Sequence, residues 1–357
     1  MINGFVEFTN REKRCGMFEA ITNIPLPEQF KHDYPLPQAH RAVKAQKDEE
    51  LRRILTGEDD RFLLVIGPCS ANDPDAVCEY VSRLARVQDK IKDKIMLVPR
   101  VYTNKPRTTG QGYKGIMLQP DPESEPNISE GIIAIRKMHL RTIAESHLTA
   151  ADEMLYPENF SFIDDLLSYH AVGARSVENQ QHRLTASGVD APVGMKNPTS
   201  GDLTVLFNSV VAAQSAHTFL YRQEEVRTQG NPLAHVILRG SVNRHGESQP
   251  NYHYEDLIKT MRAYEQIDLA NPAVIVDINH ANSDKQHEEQ PRIAKEILYS
   301  RRYNPGLQKL IKGLMIESYI EGGAQKVHEH VYGKSITDPC LGWDASEQLM
   351  YEIAEKL

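Results

Sequence analysis

The chain has 357 residues, of which 40% are hydrophobic and 25% are charged, and its formal net charge is −8. This composition is typical of soluble globular proteins, and the length suffices for one large domain or two small ones. Lys and Arg are dispersed, so nucleic acid is not an expected partner. No apolar run approaches the roughly 18 residues of a membrane span, and the first residues lack the apolar core of a signal peptide. The four cysteines form no CxxC pair, which favours a reducing cytoplasm without a membrane partner.

The first sixty or so residues are polar and interrupted by prolines, as in NIPLPEQF and DYPLPQAH. The segment RAVKAQKDEELRRILTG that follows has apolar residues at helical spacing, and Gly57 is expected to end that helix. We therefore predict an N-terminal extension with an approach helix over residues 1–57 and a catalytic domain over residues 58–357.

Beyond this extension, short apolar or β-branched runs alternate with longer amphipathic stretches. Such alternation is typical of βαβ units and a parallel sheet. Nine runs are strand candidates, and they begin at Phe62, Ile95, Thr149, Ala171, Pro192, His217, His235, Ala273 and Gly313.

One of these runs does not fit the alternation. HTFLY, from His217, reaches the next run through a short polar link rather than a helix, so we assign it to a small accessory β insertion at about residues 214–234. The other eight runs predict an α/β fold, a (β/α)8 TIM barrel, whose usual size of roughly 250 residues fits this length. An open doubly wound sheet is the alternative, but no GxGxxG follows any strand.

A polar or ionisable side chain stands at the C-terminal end of every predicted barrel strand. Chance would distribute such residues between both ends of the strands, and the active sites of these barrels form at the C-terminal end. The residues are Cys69, Arg100 with Lys105, Glu153, Arg175, Lys196, Arg239, His280 and Glu317, followed by Asp338 in the loop after the last strand.

These residues divide into two sets by their chemistry. One set offers a thiolate, an imidazole and two carboxylates, which suits one divalent transition metal (Mn²⁺, Fe²⁺, Co²⁺ or Zn²⁺) better than magnesium or calcium. The other set is cationic and, in an acidic protein, predicts a small substrate that carries phosphate and carboxylate groups. The metal-type set is Cys69, His280, Glu317 and Asp338, and the cationic set is Arg100, Lys105, Arg175, Lys196 and Arg239.

Each residue also has an ordinary structural interpretation. A lone cysteine such as Cys69 is most often a small buried hydrophobe. Glu317 could be a favourable charge at a helix N-terminus, and Asp338 resembles a turn residue before proline. These interpretations do not explain why metal-type ligands and anion-binding cations share one end of the barrel.

Several long motifs carry a family resemblance. The strings IGPCS, PRVYTNKPRTTGQGYKG, GARSVENQQHR, PVGMKNPTSGD, ILRG, DINHANSDKQ, IES…EGG and YGKSITDPCLGW resemble the class I 3-deoxy-D-arabino-heptulosonate 7-phosphate (DAHP) synthases. They are similar to the branch that contains the bacterial phenylalanine- and tyrosine-regulated enzymes. The similarity runs in the same order from about Arg52 to near Leu349.

The resemblance implies an activity. Such enzymes condense phosphoenolpyruvate with D-erythrose 4-phosphate and water to give DAHP and phosphate, the first step of the shikimate pathway of aromatic amino acid biosynthesis. It also implies residue roles, with Lys105 and Glu153 as our candidates for proton transfer. The family's metal ligands fall on Cys69, His280, Glu317 and Asp338, its phosphoenolpyruvate contacts on Arg100, Lys105, Arg175, Lys196 and Arg239, and its erythrose 4-phosphate contacts on Lys105, Pro106, Arg107 and Thr108.

The chain departs from the family pattern in two places. The segment between His217 and His235 is shorter than usual, and RQEE replaces the usual TK-x-G tract. In the family this region lies near the effector site, so an aromatic amino acid effector is expected but its identity is open. The second departure is DINH, where phenylalanine and serine usually stand at Ile278 and Asn279. Family analogy also implies a homodimer or homotetramer.

Three other functions compete with this interpretation. A 3-deoxy-D-manno-octulosonate 8-phosphate synthase shares the barrel and the phosphoenolpyruvate chemistry but takes a five-carbon aldose phosphate. A catalytically inactive, effector-binding subunit would be expected to have lost Cys69 or His280, and both are present. A metal-dependent aldolase needs neither five anion-binding cations nor a place for departing phosphate.

Overall fold

The computed structural model describes residues 14–15, 17–107 and 109–357. Its helices are α1 (Pro27–Asp33), α2 (Gln38–Thr56), α3 (Pro74–Ile91), α4 (Ile128–Ser146), α5 (Pro157–Phe160), α6 (Gln180–Ala186), α7 (Leu203–Gln214), α8 (Tyr254–Glu265), α9 (Gln290–Tyr303), α10 (Pro305–Leu310) and α11 (Trp343–Lys356). Its strands are β1 (Arg14–Cys15), β2 (Phe18–Glu19), β3 (Phe62–Gly67), β4 (Ile95–Pro99), β5 (Ala150–Glu153), β6 (Leu167–Val172), β7 (Val193–Lys196), β8 (Thr218–Tyr221), β9 (Glu224–Arg227), β10 (His235–Leu238), β11 (Ser241–Val242), β12 (Ser248–Gln249), β13 (Val274–Asp277), β14 (Ile311–Glu317), β15 (Glu321–Ala324) and β16 (Lys334–Ser335).

Eight of these strands form one parallel sheet in the spatial order β4-β3-β14-β13-β10-β7-β6-β5. The two outer strands meet where Arg100 and Ala151 form a parallel bridge. There the Val101 amide donates to the Ala151 carbonyl at 2.9 Å. The sheet therefore closes on itself, and the predicted (β/α)8 barrel is confirmed.

The barrel strands are buried on both faces, which explains their nearly continuous apolar sequences. Along β3, Leu63 and Val65 belong to one hydrophobic cluster, while the alternate residues Leu64 and Ile66 belong to another. The first cluster fills the barrel and also contains apolar side chains from the end of α2, among them Ile54. The approach helix thus packs against the interior of the barrel. It ends, as predicted, at Gly57, whose φ of +81° is readily adopted only by glycine.

Two strands begin earlier than the sequence predicted: β14 starts at Ile311 rather than Gly313, and β6 shows the larger difference. Strand β6 starts at Leu167, whereas the apolar run was placed at Ala171, because Ser168 and His170 interrupt the pattern. Both polar side chains are buried. The Ser168 hydroxyl donates to Asp48, and the His170 ring packs edge-on against Phe160 at 4.8 Å. The hydrogen bond satisfies the buried Ser168 hydroxyl. His170 Nε2 has no hydrogen-bond partner among the described residues, and burial lowers the pKa of His170 to about 3, so its ring is neutral.

The run HTFLY lies outside the barrel, as predicted. It forms β8, which pairs antiparallel with β9 in a two-stranded hairpin. Arg222 at the tip of this hairpin pairs with Glu28 of α1 at 2.8 Å. The division into an extension of residues 1–57 and a catalytic domain of residues 58–357 remains a prediction, and residues 1–13 of that extension lie outside the described residues. Among the described helices, none combines the length and the apolarity needed to cross a membrane.

Candidate active site

The C-terminal ends of the barrel strands form an opening, here called the mouth, that brings three of the four predicted metal ligands together. Glu317 ends β14 and pairs with Gly67 at the end of β3, two residues before Cys69. Asp338 enters from the loop that precedes α11. One ligand atom each from Cys69, Glu317 and Asp338 lies within 4.8 Å of the others, and the Cys69 thiol donates to Asp338 Oδ2 at 3.3 Å.

The fourth predicted ligand, His280, borders this group and is not one of its members. Its Nε2 lies 3.6 Å from Glu317 Oε1, and its Nδ1 lies 2.9 Å from Asp277 Oδ2. His280 begins a short 3₁₀ turn after β13 with a φ of +51°. Non-glycine residues adopt this left-handed conformation at some cost, and functional residues often account for it.

Charges at the mouth keep the two carboxylates ionised. Burial opposes ionisation of Glu317, but His280, Arg100 and Lys105 together hold its pKa below the usual value. Burial likewise opposes ionisation of Asp338, yet Lys105 keeps the pKa of that carboxyl well below its usual range. By contrast, burial raises the pKa of the Cys69 thiol to about 11. A bound cation would remove that proton, because metals coordinate the thiolate.

Lys105 lies among these ligands. Its Nζ is 2.5 Å from Cys69 Sγ and 2.9 Å from Asp338 Oδ2. Burial opposes the charged form of Lys105, but the charges of Cys69 and Asp338 raise its pKa above the usual value. The ammonium group thus balances negative charge at the position where sulfur and oxygen ligands converge, and this donor set fits a divalent transition metal.

The other predicted phosphoenolpyruvate contacts surround the same opening. Arg100 is buried, lies 2.8 Å from Glu317 through Nη2, and stacks over the Tyr102 ring at 3.7 Å. Arg239 is buried, and its Nη1 has no hydrogen-bond partner in the part of the chain that the structure describes. Burial, together with the nearby positive charge of Arg175, lowers the pKa of Arg239. Arg175 itself is exposed at the edge of the mouth.

The predicted erythrose 4-phosphate loop folds back on itself beside the metal-type ligands. The Lys105 amide donates to the Lys114 carbonyl at 3.0 Å, and Arg107 Nε donates to the Tyr113 carbonyl at 2.8 Å. Pro106 and Arg107 are partly buried in this loop. Thr108, the remaining predicted contact, lies outside the described residues.

Glu153 ends β5, as the sequence predicted. Its carboxylate occupies the space where a Cβ at Gly173 would lie, so any larger residue in the glycine position of GARS would displace the Glu153 carboxylate. The neighbouring Asp152 was not predicted. It is buried and accepts a hydrogen bond from the Thr103 amide at 2.9 Å, and burial raises its pKa to about 7. Asp152 thereby fixes the backbone just before Lys105.

Two further residues of the mouth were missed from the sequence. Asp277, at the end of β13, is fully buried between Lys196 Nζ at 3.0 Å and His280 Nδ1 at 2.9 Å. Asn279 donates from Nδ2 to Glu317 Oε2 at 2.5 Å. The sequence did offer a signal for Asp277, because it directly follows the apolar run AVIV. A carboxylate at the end of a buried strand needs a buried partner.

A closed (β/α)8 barrel with buried cations and metal-type ligands at its C-terminal end defines an enzyme that acts on a small anionic substrate. The particular family follows from comparison with known proteins. The chain belongs to the DAHP synthetase I family, whose model matches residues 39–351.

Curated relatives agree with this assignment. A Trp-sensitive phospho-2-dehydro-3-deoxyheptonate aldolase of Enterobacter agglomerans is 38% identical over 94% of this chain and 95% of that protein. The Tyr-sensitive enzyme of Escherichia coli K12 is 37% identical over 93% of this chain and 92% of that protein. The solved structure of the Francisella tularensis SCHU S4 aldolase superposes with a TM-score of 0.87 at 31% identity, covering 95% of this chain and 98% of that one.

The predicted activity is therefore confirmed. The chain is an enzyme that condenses phosphoenolpyruvate with erythrose 4-phosphate, the first step of the shikimate pathway. Among the described residues, the Cys69, Glu317 and Asp338 group is a possible metal site for such an enzyme.

Proposed function

We propose that Cys69, His280, Glu317 and Asp338 hold one divalent transition-metal ion, of which Mn²⁺, Fe²⁺, Co²⁺ and Zn²⁺ are candidates. The observation that supports this proposal is the meeting of a thiol and two ionised carboxylates within 4.8 Å. When bound, the metal supplies Lewis-acid polarisation of the aldehyde of erythrose 4-phosphate.

Phosphoenolpyruvate is bound in this proposal by Arg100, Lys105, Arg175, Lys196 and Arg239. Arg239 gives the strongest support, since a buried guanidinium nitrogen without a partner among the described residues is costly until an anion reaches it. Arginines match carboxylate and phosphate oxygens with two parallel hydrogen bonds, so these cations also set the orientation of the enol.

The chain's own residues then manage protons. The enol carbon of phosphoenolpyruvate attacks the aldehyde carbon, and Lys105 delivers a proton to the oxygen that becomes a hydroxyl. Water adds to the former enol-ether carbon, beside Glu153, and inorganic phosphate leaves from the resulting hemiketal. The neighbouring charges that raise the pKa of Lys105 keep it protonated, and the developing alkoxide is the stronger base that takes its proton. The terminal phosphate of the aldose is received at Arg107 and Thr108, and Pro106 contacts the sugar beside them.

Initial rates of phosphate release test these assignments. Arg239→Gln should raise the KM for phosphoenolpyruvate about tenfold or more, because it removes a charge-assisted contact of about 1.5–3 kcal/mol. Arg262→Gln, which removes an exposed charge on α8, is the matched control and should leave both KM values unchanged. A raised KM for the aldose alone would show that Arg239 binds the other substrate.

An aromatic amino acid effector is the second part of the proposal. A cleft of about 420 Å³ lies between the β8–β9 hairpin and α5 and α6. Phe219 and Tyr221 give it aromatic walls, while Asp190 and Arg227 offer one charge of each sign. An amino acid with an aromatic side chain and a zwitterionic backbone matches this lining. Sensitivity to Trp or Tyr is stated in the names of several relatives.

We also infer a homodimer or homotetramer in the cytoplasm. Met17, Phe18 and Ile21 are largely exposed apolar residues near the N-terminus, which favours a covering subunit. Cys69, Cys78 and Cys340 are free thiols, which suits a reducing compartment. Light scattering after size-exclusion chromatography tests the assembly, and a monomeric mass at micromolar concentration would contradict it.

A further inference from the structure

A second large cleft lies at the end of the barrel opposite the mouth. Its volume is about 1150 Å³. It is bordered by Gly57 after α2, by Arg301 of α9 and by Lys312, the second residue of β14. Because these positions adjoin the N-terminal ends of the barrel strands, the cleft is separate from the site assigned to catalysis.

Arg301 is the unusual residue of this cleft. Its guanidinium stacks over the Phe62 ring at 4.5 Å, and Nη2 donates to the Gln308 carbonyl at 3.2 Å. Its Nε is buried without a hydrogen-bond partner, and Arg301 forms no ion pair within the described ranges. Burial alone lowers its pKa to about 10. Arg301 is thus a desolvated charge that its own protein chain does not balance.

The same signature marks the anion-binding residues at the mouth. Among the described residues, a buried guanidinium nitrogen without a hydrogen-bond partner occurs in Arg100, Arg239 and Arg301. The first two are assigned to phosphoenolpyruvate. Arg136 shows the contrasting structural case, since this fully buried arginine pairs with Asp165 at 2.7 Å. Arg100 is paired with Glu317, so the closer parallel to Arg301 is Arg239, which also has a buried guanidinium nitrogen without a partner and no ion pair among the described residues.

A second desolvated cation faces the same space. Burial lowers the pKa of Lys312, the charge of Arg301 lowers it further, and only Asp60 opposes this effect. Arg302 also lines the cleft and donates to the Lys356 carbonyl at 3.2 Å. Acidic side chains and the C-terminal residue Leu357 also line the cleft. Asp59 is engaged by Arg61 at 2.7 Å. Asp60 raises the pKa of Lys312, but in the described part of the chain none of Asp60, Glu265 and Glu355 forms an ion pair with Arg301 or Lys312.

We propose that this cleft binds a small-molecule anion bearing phosphate or carboxylate groups, held chiefly by Arg301 and Lys312. An anion that pairs with both side chains would balance their charges and relieve the repulsion between these neighbouring cations. The cleft volume is large enough for a whole metabolite rather than a single inorganic ion.

Calorimetric titration of the whole protein with inorganic phosphate, at constant ionic strength, tests this proposal. The mouth also receives phosphate groups under the proposed function, so the wild type should show two sites. Arg301→Gln and Lys312→Gln should each abolish the second site or weaken it at least about tenfold, while Arg239→Gln should remove the other. A parallel titration with citrate distinguishes a cleft that prefers carboxylates from one that prefers phosphate.

Arg262→Gln removes the same charge from an exposed position on α8 and should retain both sites. A single phosphate site that is lost in Arg239→Gln and unchanged in Arg301→Gln, with no citrate site, would overturn the proposal. A single phosphate site that is lost only in Arg301→Gln would support anion binding in the cleft. It would contradict the assignment of Arg239 to phosphoenolpyruvate. Without ligand, Arg301→Gln should melt at the same or a higher temperature, since it removes an unbalanced charge. A lower melting temperature with both sites intact would show that Arg301 only supports Phe62.

Discussion

At the scale of single residues, the mouth contains buried charges that are paired with one another. Arg100 meets Glu317 at 2.8 Å and Lys196 meets Asp277 at 3.0 Å, and all four side chains are nearly inaccessible to water. Buried ion pairs repay little of their desolvation cost, so they are weak contributors to stability. Their concentration at one end of the barrel is therefore better explained by the need to bind a metal and an anionic substrate.

The proposed thiolate ligand leads to the first prediction. Removal of metal with EDTA should abolish phosphate release, and Mn²⁺ or Co²⁺ should restore it. Cys69→Ala should not be rescued by any of these metals, because the site loses its sulfur ligand. Cys78→Ala is the matched control, since this cysteine is also buried but contacts the Met138 carbonyl of α4 instead. Full activity in a preparation shown by elemental analysis to be metal-free would refute the ligand assignment.

Asp277 gives a second prediction at this scale. Its carboxylate contacts both Lys196 and His280, so it orients a substrate cation and a proposed metal ligand together. Asp277→Asn should weaken metal binding about 10–100-fold, as loss of partners behind metal ligands typically does, and should raise the KM for phosphoenolpyruvate. Asp165→Asn, which disturbs an ion pair with Arg136 away from the mouth, should change neither quantity. Metal affinity measured by calorimetry that stays at the wild-type value would contradict this role.

At the scale of elements, strands were predicted well where both faces are buried and apolar. Strand β3 reads as a continuous apolar run. Strand β14 was placed two residues late because Lys312 interrupts its start, and β6 was placed late because the burial of Ser168 and His170 depends on partners distant in sequence. Asp277 was missed for the same reason, because its partners are also distant in sequence. A strand-end aspartate is visible in the sequence, but its two partners are brought to it only by the order of strands in the barrel.

The loop that carries Lys105, Pro106 and Arg107 should select the aldose. Proline fixes its own φ and offers no backbone donor, and its ring cannot form a hydrogen bond with a sugar hydroxyl as an asparagine side chain could. Arabinose 5-phosphate would bury one hydroxyl without a hydrogen-bond partner, at a cost of about 1–3 kcal/mol. This cost corresponds to a preference of roughly tenfold to a hundredfold for erythrose 4-phosphate. Erythrose 4-phosphate should therefore give the higher kcat/KM in phosphate-release assays.

Pro106→Asn is the informative variant for this loop. It should raise the catalytic efficiency with arabinose 5-phosphate relative to erythrose 4-phosphate. Equal efficiencies with the two aldoses in the wild type, or a preference for arabinose 5-phosphate, would refute the role assigned to the loop.

The β8–β9 hairpin leads to a prediction about regulation. Its turn carries RQEE, and Arg222 at this turn is held by Glu28 of α1, so the tip differs in charge and contacts from the usual family tract. We expect weak feedback inhibition or a changed amino-acid preference. Separate titrations with Phe, Tyr and Trp decide this, and potent inhibition by phenylalanine in the usual family pattern would contradict it.

At the scale of the whole molecule, closure of the barrel explains which parts of the site were predictable. Residues at the C-terminal ends of parallel strands must share one opening, so the sequence could place the predicted strand-end residues there, although it missed Asp277 and Asn279. Distances within it depend on loop conformations that no local pattern specifies. Cys69, Glu317 and Asp338 converge, while His280 stands at the edge of the group because a left-handed turn directs it toward Asp277.

One buried arginine, Arg136 of α4, makes several of the contacts that link the N-terminal extension to the barrel. It donates to the Tyr34 carbonyl after α1 at 2.8 Å, to the Phe162 carbonyl after α5 at 2.6 Å, and to Asp165 at 2.7 Å. Arg136→Ala would leave two carbonyls and a partly buried carboxylate without their donor. Breaking a buried pair costs about 3–5 kcal/mol, and since Asp165 is partly exposed we expect a loss of about 3 kcal/mol in the free energy of unfolding.

Urea denaturation followed by circular dichroism measures this loss. Arg141→Ala is the matched control on the same helix, because Arg141 pairs with Asp75 at 2.7 Å but both side chains are exposed. An exposed pair contributes about 0–1 kcal/mol, so the control should unfold close to the wild type. Equal unfolding free energies for the two variants would mean that Arg136 does not fasten the extension. A large loss in Arg136→Ala with unchanged KM values would show that the extension stabilises the barrel without shaping its mouth.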